Sequence, residues 1–259
     1  MVISDQHRFA FVHIPKCAGT SVRKALQPID DTVGMFDHIA DHPFMGRINY
    51  GHITIADLAR YFPDYYERVA TFQSVAIVRD PEDRFFSAMF QRLREFKGYA
   101  QSQITDAVVY TESRAVIRHL ESSIGRLDLE YVHFNRQSDY VFNDGVRVVQ
   151  RVFALDQLAS AAAYIAQCTG VRLVTTEREN RTKALRITGL RPLVRALRAP
   201  YVSAVPHGLR HRIRAGLVRS GVYGEVESKS FTRSDPYVAG FLKDYYKSDF
   251  VLHAAARAG

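Results

Sequence analysis

The chain has 259 residues, a formal net charge of +8, 47% hydrophobic residues and 24% charged residues. This composition is typical of a globular protein and excludes a disordered, collagen-like or coiled-coil chain. A chain of this length buries a sizeable core without disulfides or metals, so we expect one domain over residues 1–259. The positive charge favours a polyanionic partner, and leaves open nucleic acid, a phosphorylated cofactor, an acidic polysaccharide or an anionic membrane surface.

Membrane and metal signals are absent from the sequence. No stretch approaches the roughly 20 apolar residues that a membrane span requires, and residues 1–8 lack the apolar core of a signal peptide. We therefore expect a cytoplasmic protein. The two cysteines, Cys17 and Cys168, have no Cys or His at a zinc-ligand spacing. We predict two free thiols and no metal site.

The chain begins with two strand–loop–helix successions. The first has an apolar, β-rich run at residues 8–14, a turn that begins at Pro15 and a helix at residues 21–26. The second has a strand at residues 74–79 and a helix that extends to about residue 96. Strands that alternate with helices imply right-handed crossovers and a parallel sheet.

The second helix has clear signals at its start. Asp80 suits an N-cap, and Pro81 suits the first helical position. The acidic residues Glu82 and Asp83 follow, where the helix dipole is positive. We therefore predict that this helix begins immediately after Asp80.

Three later elements complete the pattern. A strand is predicted at residues 147–155, and Asp156 is predicted to cap an Ala-rich helix that ends near Gly170. Helices are also predicted at about residues 103–123 and 236–250. In the last of these, one face carries Val238, Phe241, Leu242 and Tyr245.

One segment is basic and free of acids. Residues 183–222 contain nine Lys or Arg and no Asp or Glu, with three prolines between them. We interpret the segment as a binding face or a lid. A solvated helical face is the alternative.

The connection between the first strand and the first helix has the features of an anion-binding loop. Its sequence, HIPKCAGTS at residues 13–21, offers successive backbone N–H groups, Gly19, two hydroxyls and the cation of Lys16. It is not the GxxxxGK(S/T) loop of nucleoside triphosphatases, because Lys16 precedes Gly19 instead of following it.

This loop resembles the 5′-phosphosulfate loop of sulfotransferases that use 3′-phosphoadenosine 5′-phosphosulfate (PAPS), particularly the carbohydrate branch with its HIPKTAGTS-like pattern. Cys17 stands where that pattern often has Thr. Residues 78–87, VRDPEDRFFS, resemble the family's 3′-phosphate motif, in which a strand-end Arg, here Arg79, is followed eight residues later by a helix Ser, here Ser87. The two motifs occur in the family's order.

The resemblance implies an α/β fold, a three-layer sandwich with a central parallel sheet, which is the P-loop nucleotide-hydrolase-like sulfotransferase fold. It implies transfer of a sulfuryl group from PAPS to a carbohydrate hydroxyl, with adenosine 3′,5′-bisphosphate (PAP) as the product and without a metal. Two anionic groups need two anion sites, one at each strand-to-helix junction. The implied cofactor-binding residues are Pro15, Lys16, Cys17, Ala18, Gly19, Thr20 and Ser21 around the 5′-phosphate, and Arg79 and Ser87 at the 3′-phosphate.

A catalytic base must take the proton of the acceptor hydroxyl, and histidine suits this task near neutral pH. His52, in the segment NYGHIT, resembles the Gly-His element of uronosyl 2-O-sulfotransferase-like enzymes, where the histidine is the proposed base. His52 and Lys16 are therefore the predicted catalytic residues. A structural histidine at a helix start is the alternative reading of His52, and His38, His42 or a carboxylate, Glu82 or Glu95, are the alternative bases.

Two further segments resemble the family less closely. HFNRQSDY at residues 133–140 resembles a family segment with a Gln-Ser pair near the cofactor or acceptor cleft, or it is an ordinary turn. YYKSDF at residues 245–250 resembles the closing helix of the family and is expected to be structural. His13, before the loop, is expected to face the sheet or to pack.

The expected acceptor is an anionic polysaccharide, oligosaccharide or glycolipid. Alternatives are a small-molecule or lipid hydroxyl, a non-catalytic sulfonucleotide-binding protein, a nucleotide kinase-like enzyme and a nucleic-acid-binding module. The last two lack a Walker loop and a recognisable nucleic-acid motif, respectively. The candidate acceptor clamp in the basic segment comprises Arg186, Arg191, Arg195, Arg198, Arg210, Arg212 and Arg214.

Overall fold

The computed structural model describes residues 1–173, 183–185, 223–225 and 235–258. The chain divides by its contacts into two compact units, Met1–Thr175 with Ser230–Gly259, and Thr176–Lys229. The basic segment 183–222 lies outside the described residues except at its first three positions. The single domain over residues 1–259 stays a prediction.

The helices and strands alternate along most of the chain. Their bounds, in chain order, are β1 (Val2–Ser4), β2 (Phe9–Val12), α1 (Gly19–Leu26), β3 (Ile39–His42), β4 (Gly46–Asn49), α2 (Ile55–Tyr61), α3 (Pro63–Thr71), β5 (Gln73–Val78), α4 (Pro81–Glu95), α5 (Asp106–Ser122), β6 (Phe142–Asn143), β7 (Val146–Arg147), β8 (Arg151–Ala154), α6 (Leu158–Thr169), β9 (Lys183–Leu185), β10 (Tyr223–Glu225), α7 (Pro236–Tyr245) and α8 (Lys247–Ala258). In the second unit, β9 pairs with β10 in an antiparallel ladder.

The central sheet of the first unit has the strand order β1-β2-β5-β8. Strands β2, β5 and β8 are parallel, as predicted, with Phe9 opposite Gln73 and Val75 opposite Arg151. Strand β1 was not predicted, and it adds to the edge of β2 in the antiparallel direction. The sheet is therefore mostly and not wholly parallel. Its carboxyl ends lead into the loops of the candidate site.

Helix ends confirm some of the predicted signals and correct others. Asp80 caps α4 by accepting from the N–H of Asp83 over 3.0 Å, with Pro81 in the first turn. Gly170 ends α6 in the left-handed region, with a φ of 72°. The predicted cap at Asp156 is wrong, because Gln157 precedes α6 and the Asp156 carboxylate pairs with Arg257 instead.

Two predicted elements are divided in the structure. The strand expected at residues 147–155 supplies only β8 to the sheet, because positive φ at Asp144 and Gly145 turns the preceding chain into the β6–β7 hairpin. The helix expected at residues 236–250 is interrupted at Tyr246, whose buried hydroxyl donates to the carbonyl of Phe134 over 2.8 Å. It forms two helices, α7 and α8.

The core of the first unit consists of two clusters of buried apolar side chains. One surrounds the sheet with residues from β1, β2, β5, α1 and α2. The other lies between α4, α5 and α7, and includes Val238 and Leu242 with Phe241 and Tyr245 packed against it, as the helical spacing predicted. None of the helices in the described part of the chain is long and apolar enough to cross a membrane.

Candidate active site

The loop between β2 and α1 has an unusual backbone. Lys16 and Ala18 both have positive φ, 68° and 60°, although neither is a glycine. Such left-handed residues are uncommon outside glycine, and they cluster at functional sites. Ala18 occupies the N-cap of α1 and offers no side-chain acceptor to the first N–H groups of the helix. The start of α1 therefore keeps its donors available for an anion.

Gly19 allows the histidine before the loop to lie against the start of α1. A Cβ atom at position 19 would overlap the ring of His13. His13 is buried, in agreement with its predicted packing role. The glycine is therefore required here by close approach, because its own φ is not positive.

Lys16 supplies the charge of this loop. Its side chain is partly buried, and it forms no ion pair within the described residues. Burial lowers the pKa of Lys16, and the nearby charge of Arg94 lowers it further, whereas Glu95 opposes the shift. The hydroxyl-bearing residues Thr20 and Ser21 are exposed beside it.

Arg79 follows the end of β5 and begins the second predicted anion loop. The Arg79 side chain is 29% exposed and lies 3.8 Å from the Asp83 carboxylate, a contact of little energetic weight. Ser87 lies two turns into α4, is partly buried, and forms no side-chain hydrogen bond within the described residues. Both side chains have hydrogen-bonding capacity left for a ligand.

Gln137 connects the two loops. Its amide oxygen accepts from the thiol of Cys17 over 3.2 Å and from the N–H of Arg79 over 2.8 Å. Its amide nitrogen donates to the carbonyl of Arg79 over 2.9 Å. Burial raises the pKa of Cys17 to about 12, so the thiol keeps its proton and acts as the donor. One fully buried side chain therefore contacts the Cys17 thiol of the first loop and the backbone of the second.

Asp249 holds Gln137 in place from α8. Its carboxylate accepts from the N–H of Gln137 over 2.7 Å and from that of Ser138 over 2.9 Å. The guanidinium of Arg84 lies 3.8 Å from the same carboxylate, and both side chains are fully buried. Arg84 also donates to the carbonyls of His133 and Asn135. The segment around Gln137 is thus held by buried side chains of α4 and α8, and it is not an ordinary surface turn.

Three histidine rings form a row beside the first loop. The centroid of the His52 ring lies 4.9 Å from that of His13 and 5.0 Å from that of His133, both in edge-to-face contact. Within the described part of the chain, the Nδ1 atoms of His13 and His52 are buried and have no hydrogen-bond partner. Tyr140 donates to the backbone carbonyl of His52 over 3.3 Å, which holds that residue in position.

The environment keeps these imidazoles neutral. Burial lowers the pKa of His52 well below its usual value, and His13 and His133, when protonated, lower it further. The pKa of His13 is lowered in the same way. Burial, followed by the charges of Lys16 and Arg84, lowers the pKa of His133 to about 4. At neutral pH the three imidazoles are therefore unprotonated.

Comparison with known proteins identifies the family. A model of the Sulfotransferase family matches residues 1–254 of the chain. The chain belongs to the sulfotransferase family. Comparisons with curated proteins and with solved structures found no significant match. Membership of the sulfotransferase family implies an enzyme that transfers a sulfuryl group to an acceptor.

His38 and His42, the alternative histidine bases of this sulfotransferase, lie apart from the histidine row. His38 stacks on Tyr50 at 4.6 Å and contacts the carbonyl of Gly34. His42 ends β3 and accepts from the N–H of Phe44 over 3.2 Å. Neither ring has a contact with the histidine row. The assignment of His52 as the base stays a prediction.

The carboxylate alternatives are on α4 of the sulfotransferase. Glu82 is in its first turn, and exposed Glu95 is in its last turn, where it accepts from Gln91 over 2.8 Å. Among the residues that the structure describes, no group of three His, Cys, Asp or Glu could hold a metal ion. The absence of a metal stays a prediction.

The sequence analysis assigned no role to two residues of this site. His133 and Gln137 both occur in the segment HFNRQSDY, which the family resemblance associated only loosely with a cleft. The contact between His133 and His52 could not be predicted from the spacing of the two residues in the sequence. The resemblance of the segment was the one signal that pointed to Gln137.

Proposed function

We propose that this sulfotransferase transfers a sulfuryl group from PAPS to a hydroxyl of a carbohydrate acceptor. The observation that carries the proposal is the pair of cationic loops, one after β2 and one after β5, that Gln137 joins. PAP has two separate anionic groups, and parallel sheets bind such ligands beyond the carboxyl ends of their strands. The P-loop-like topology and the cofactor-binding roles of residues 15–21 are part of this proposal.

The first loop would bind the 5′ side of the nucleotide. Lys16, the N–H groups at the start of α1 and the hydroxyls of Thr20 and Ser21 are suited to a phosphate. When bound, the sulfonucleotide supplies the sulfuryl group and takes up negative charge at its bridging oxygen. Lys16 would neutralise this charge, which is the kind of electrostatic contribution that lowers barriers most. Arg79 and Ser87 would bind the 3′-phosphate.

His52 would act as the base. Burial and the two adjacent histidines keep its imidazole neutral, which is the protonation state that a general base needs, although the same burial weakens it as a base. It would take the proton of the acceptor hydroxyl as the oxygen attacks sulfur. The Nδ1 atom of His52 has no hydrogen-bond partner among the described residues.

The acceptor class rests on the loop pattern of the carbohydrate branch and on the Gly-His element, both of which are resemblances. The proposed acceptor is an anionic polysaccharide, oligosaccharide or glycolipid. No metal is part of the proposed chemistry, since Lys16 and the α1 N-terminus provide the positive charge that the transferring group needs.

Transfer of radiolabel from labelled PAPS to a pool of polysaccharides, oligosaccharides and glycolipids tests the function. Lys16→Ala should abolish transfer and weaken PAP binding. His52→Ala should lower transfer by about a hundredfold or more and leave the PAP dissociation constant within about twofold, as expected for a general base. His42→Ala is the control for an alternative base. Full transfer by His52→Ala would disprove the assignment of the base.

A further inference from the structure

His13 and His52 share a feature that the proposed chemistry has not yet used. In the described part of the chain, the Nδ1 atoms of these two residues are the only buried histidine nitrogens without a hydrogen-bond partner. The two rings are in contact, with their centroids 4.9 Å apart and their planes inclined at 63°. Buried polar atoms normally have partners, so two neighbouring exceptions call for a common explanation.

The separation of the two rings suits a direct hydrogen bond between them. Two imidazoles joined by an N–H···N bond of about 2.9 Å have centroids about 5 Å apart. The χ2 torsion of histidine is broad, so the rings can turn while they stay in contact. Both imidazoles are neutral because burial lowers the pKa of each, and a neutral imidazole has one donor and one acceptor nitrogen.

The other groups around His52 leave its Nδ1 atom without a bond. Asp57 lines the same cavity as His52, but its carboxylate does not bond to this nitrogen. Tyr140 donates to the backbone carbonyl of His52 and not to its ring. His133 contacts the His52 ring at 5.0 Å, but its own nitrogens are not among the buried unpartnered atoms. His13 is therefore the neighbour whose buried nitrogen lacks a partner as well.

The ring of His13 is held in place from the side of the first loop. Its Cδ2–Nε2 edge lies against Gly19, where a Cβ atom would overlap it. In an imidazole, Nδ1 is on the edge opposite to the Cδ2–Nε2 bond, so this nitrogen is directed away from Gly19. His13 is only 8% exposed. Its ring is thus confined between the start of α1 and the ring of His52.

We infer that His13 orients the base, because its Nδ1 accepts a hydrogen bond from the Nδ1–H of His52. The inference rests on the proposed function, in which His52 is the base. With Nδ1 protonated, the neutral His52 ring has its lone pair on Nε2, which takes the proton of the acceptor hydroxyl. The hydroxyl oxygen bonds to sulfur as the bond from sulfur to the 5′-phosphate oxygen breaks and PAP leaves.

The same hydrogen bond compensates in part for the burial of His52. A bond from Nδ1–H stabilises the imidazolium that forms when Nε2 takes the proton. His13 is therefore a positioning residue, and its role is comparable to that of the group that orients the histidine of a catalytic triad. Because His13 also packs on Gly19, it joins the base to the first anion loop.

NMR of the histidine side chains tests the inference without an acceptor. The protein is labelled with ¹⁵N-histidine, and spectra at neutral pH show which ring nitrogen of each imidazole has the proton. We expect His52 to be protonated at Nδ1 and His13 at Nε2, both in the free protein and with PAP bound. The spectra of His13→Asn and His52→Ala assign the signals. A wild-type His52 protonated at Nε2 would overturn the inference.

Two substitutions of His13 separate orientation from packing. Asparagine places its amide near the position of the His13 Nδ1 and keeps an acceptor for His52, whereas leucine offers none. A packing role alone favours leucine, because a buried apolar side chain needs no partner, so the two roles predict opposite orders of activity.

The readout for these variants is transfer from labelled PAPS to the pool of polysaccharides, oligosaccharides and glycolipids. His13→Leu should lower transfer by about tenfold or more and His13→Asn should keep most of it, with the PAP dissociation constant within about threefold in both. In His13→Leu the preference of His52 for a proton at Nδ1 should be lost. Transfer by His13→Leu at or above the level of His13→Asn would contradict the orienting role.

His133→Leu is the matched control for the spectra, because His133 contacts the same ring at nearly the same separation, 5.0 Å. His52 should keep its proton at Nδ1 in this variant. Loss of that preference in His133→Leu, with its retention in His13→Leu, would assign the orienting role to His133 and overturn the inference. Absence of PAP binding by the wild type would instead refute the proposed function, and the spectra of the free protein would still decide the position of the proton.

Discussion

The side-chain amide of Gln137 exchanges two hydrogen bonds with the main chain of Arg79, one at 2.8 Å and one at 2.9 Å. The same amide oxygen accepts from the thiol of Cys17 in the first loop. Gln137 is 58 residues from Arg79 and 120 residues from Cys17 in the chain. The spacing between the two anion loops thus depends on one buried side chain.

Removal of the Gln137 amide should therefore damage stability and cofactor binding together. Gln137→Ala leaves the buried polar groups of Arg79 without their partner, and we expect the free energy of unfolding to fall by about 2–4 kcal/mol. The affinity for PAP should fall by about tenfold or more. Urea unfolding and calorimetric titration measure the two effects.

Gln91→Ala is the matched control for this experiment. Gln91 is a glutamine on α4 whose side chain donates one exposed hydrogen bond, to Glu95, among the described residues. Its replacement should change the free energy of unfolding by less than about 0.5 kcal/mol. If Gln137→Ala were as stable as Gln91→Ala, Gln137 would not connect the loops.

Two glycine substitutions should have opposite signs. Gly19→Ala places a Cβ atom in the ring of His13, so we expect a loss of about 2 kcal/mol or more of stability. Gly240→Ala, in the middle of α7, meets no atom within 4 Å and should stabilise the protein by about 0.5–1 kcal/mol. Thermal unfolding of both variants measures the difference. Equal effects would mean that His13 does not pack on the start of α1.

The histidine row should make the protein sensitive to acid. The folded pKa of His133 is about 4, below the unfolded value of about 6.5, so between these pH values the unfolded chain binds a proton that the folded chain does not. The free energy of unfolding should therefore fall as the pH is lowered through this window, by about 3 kcal/mol in total from His133 alone. His13 and His52 act in the same direction.

Replacement of His133 tests this origin of the acid sensitivity. His133→Gln removes one titrating group and should make the decline of stability between pH 6.5 and 4 shallower, by up to about 1.4 kcal/mol per pH unit. His253→Gln, on α8, controls for the loss of a histidine elsewhere. Urea midpoints across the pH range measure both slopes. An unchanged slope in His133→Gln would contradict the buried neutral state of this residue.

The parts of the site that depend on local signals were predictable from the sequence. The apolar run before Pro15 predicts a strand, and Asp80 with Pro81 predicts the start of a helix, because both signals act within a few residues. The two anion loops then follow from the order of strands and helices. Parallel pairing brings them to the same edge of the sheet.

The remainder depends on contacts between distant segments. Strand β1 pairs with β2 through a turn that has no strong signature. Asp156 lies inside a short 3-10 turn, Leu155–Gln157, so Gln157 and not Asp156 precedes α6. The contacts of Gln137 with Cys17 and of His133 with His52 arise from packing of the folded chain. Sequence periodicity reports local geometry and contains no information on such pairs.

Calorimetric titration with PAP, with ATP and AMP as controls and in moderate salt, tests the central claim most directly, because screening removes nonspecific attraction to the basic chain. The account predicts selective micromolar binding of PAP by the wild type. In Arg79→Ala the preference for PAP over AMP should disappear, because the 3′-phosphate loses its cation. Equal binding of PAP and AMP by the wild type, or an unchanged preference in Arg79→Ala, would contradict the assignment of the two loops to one sulfonucleotide.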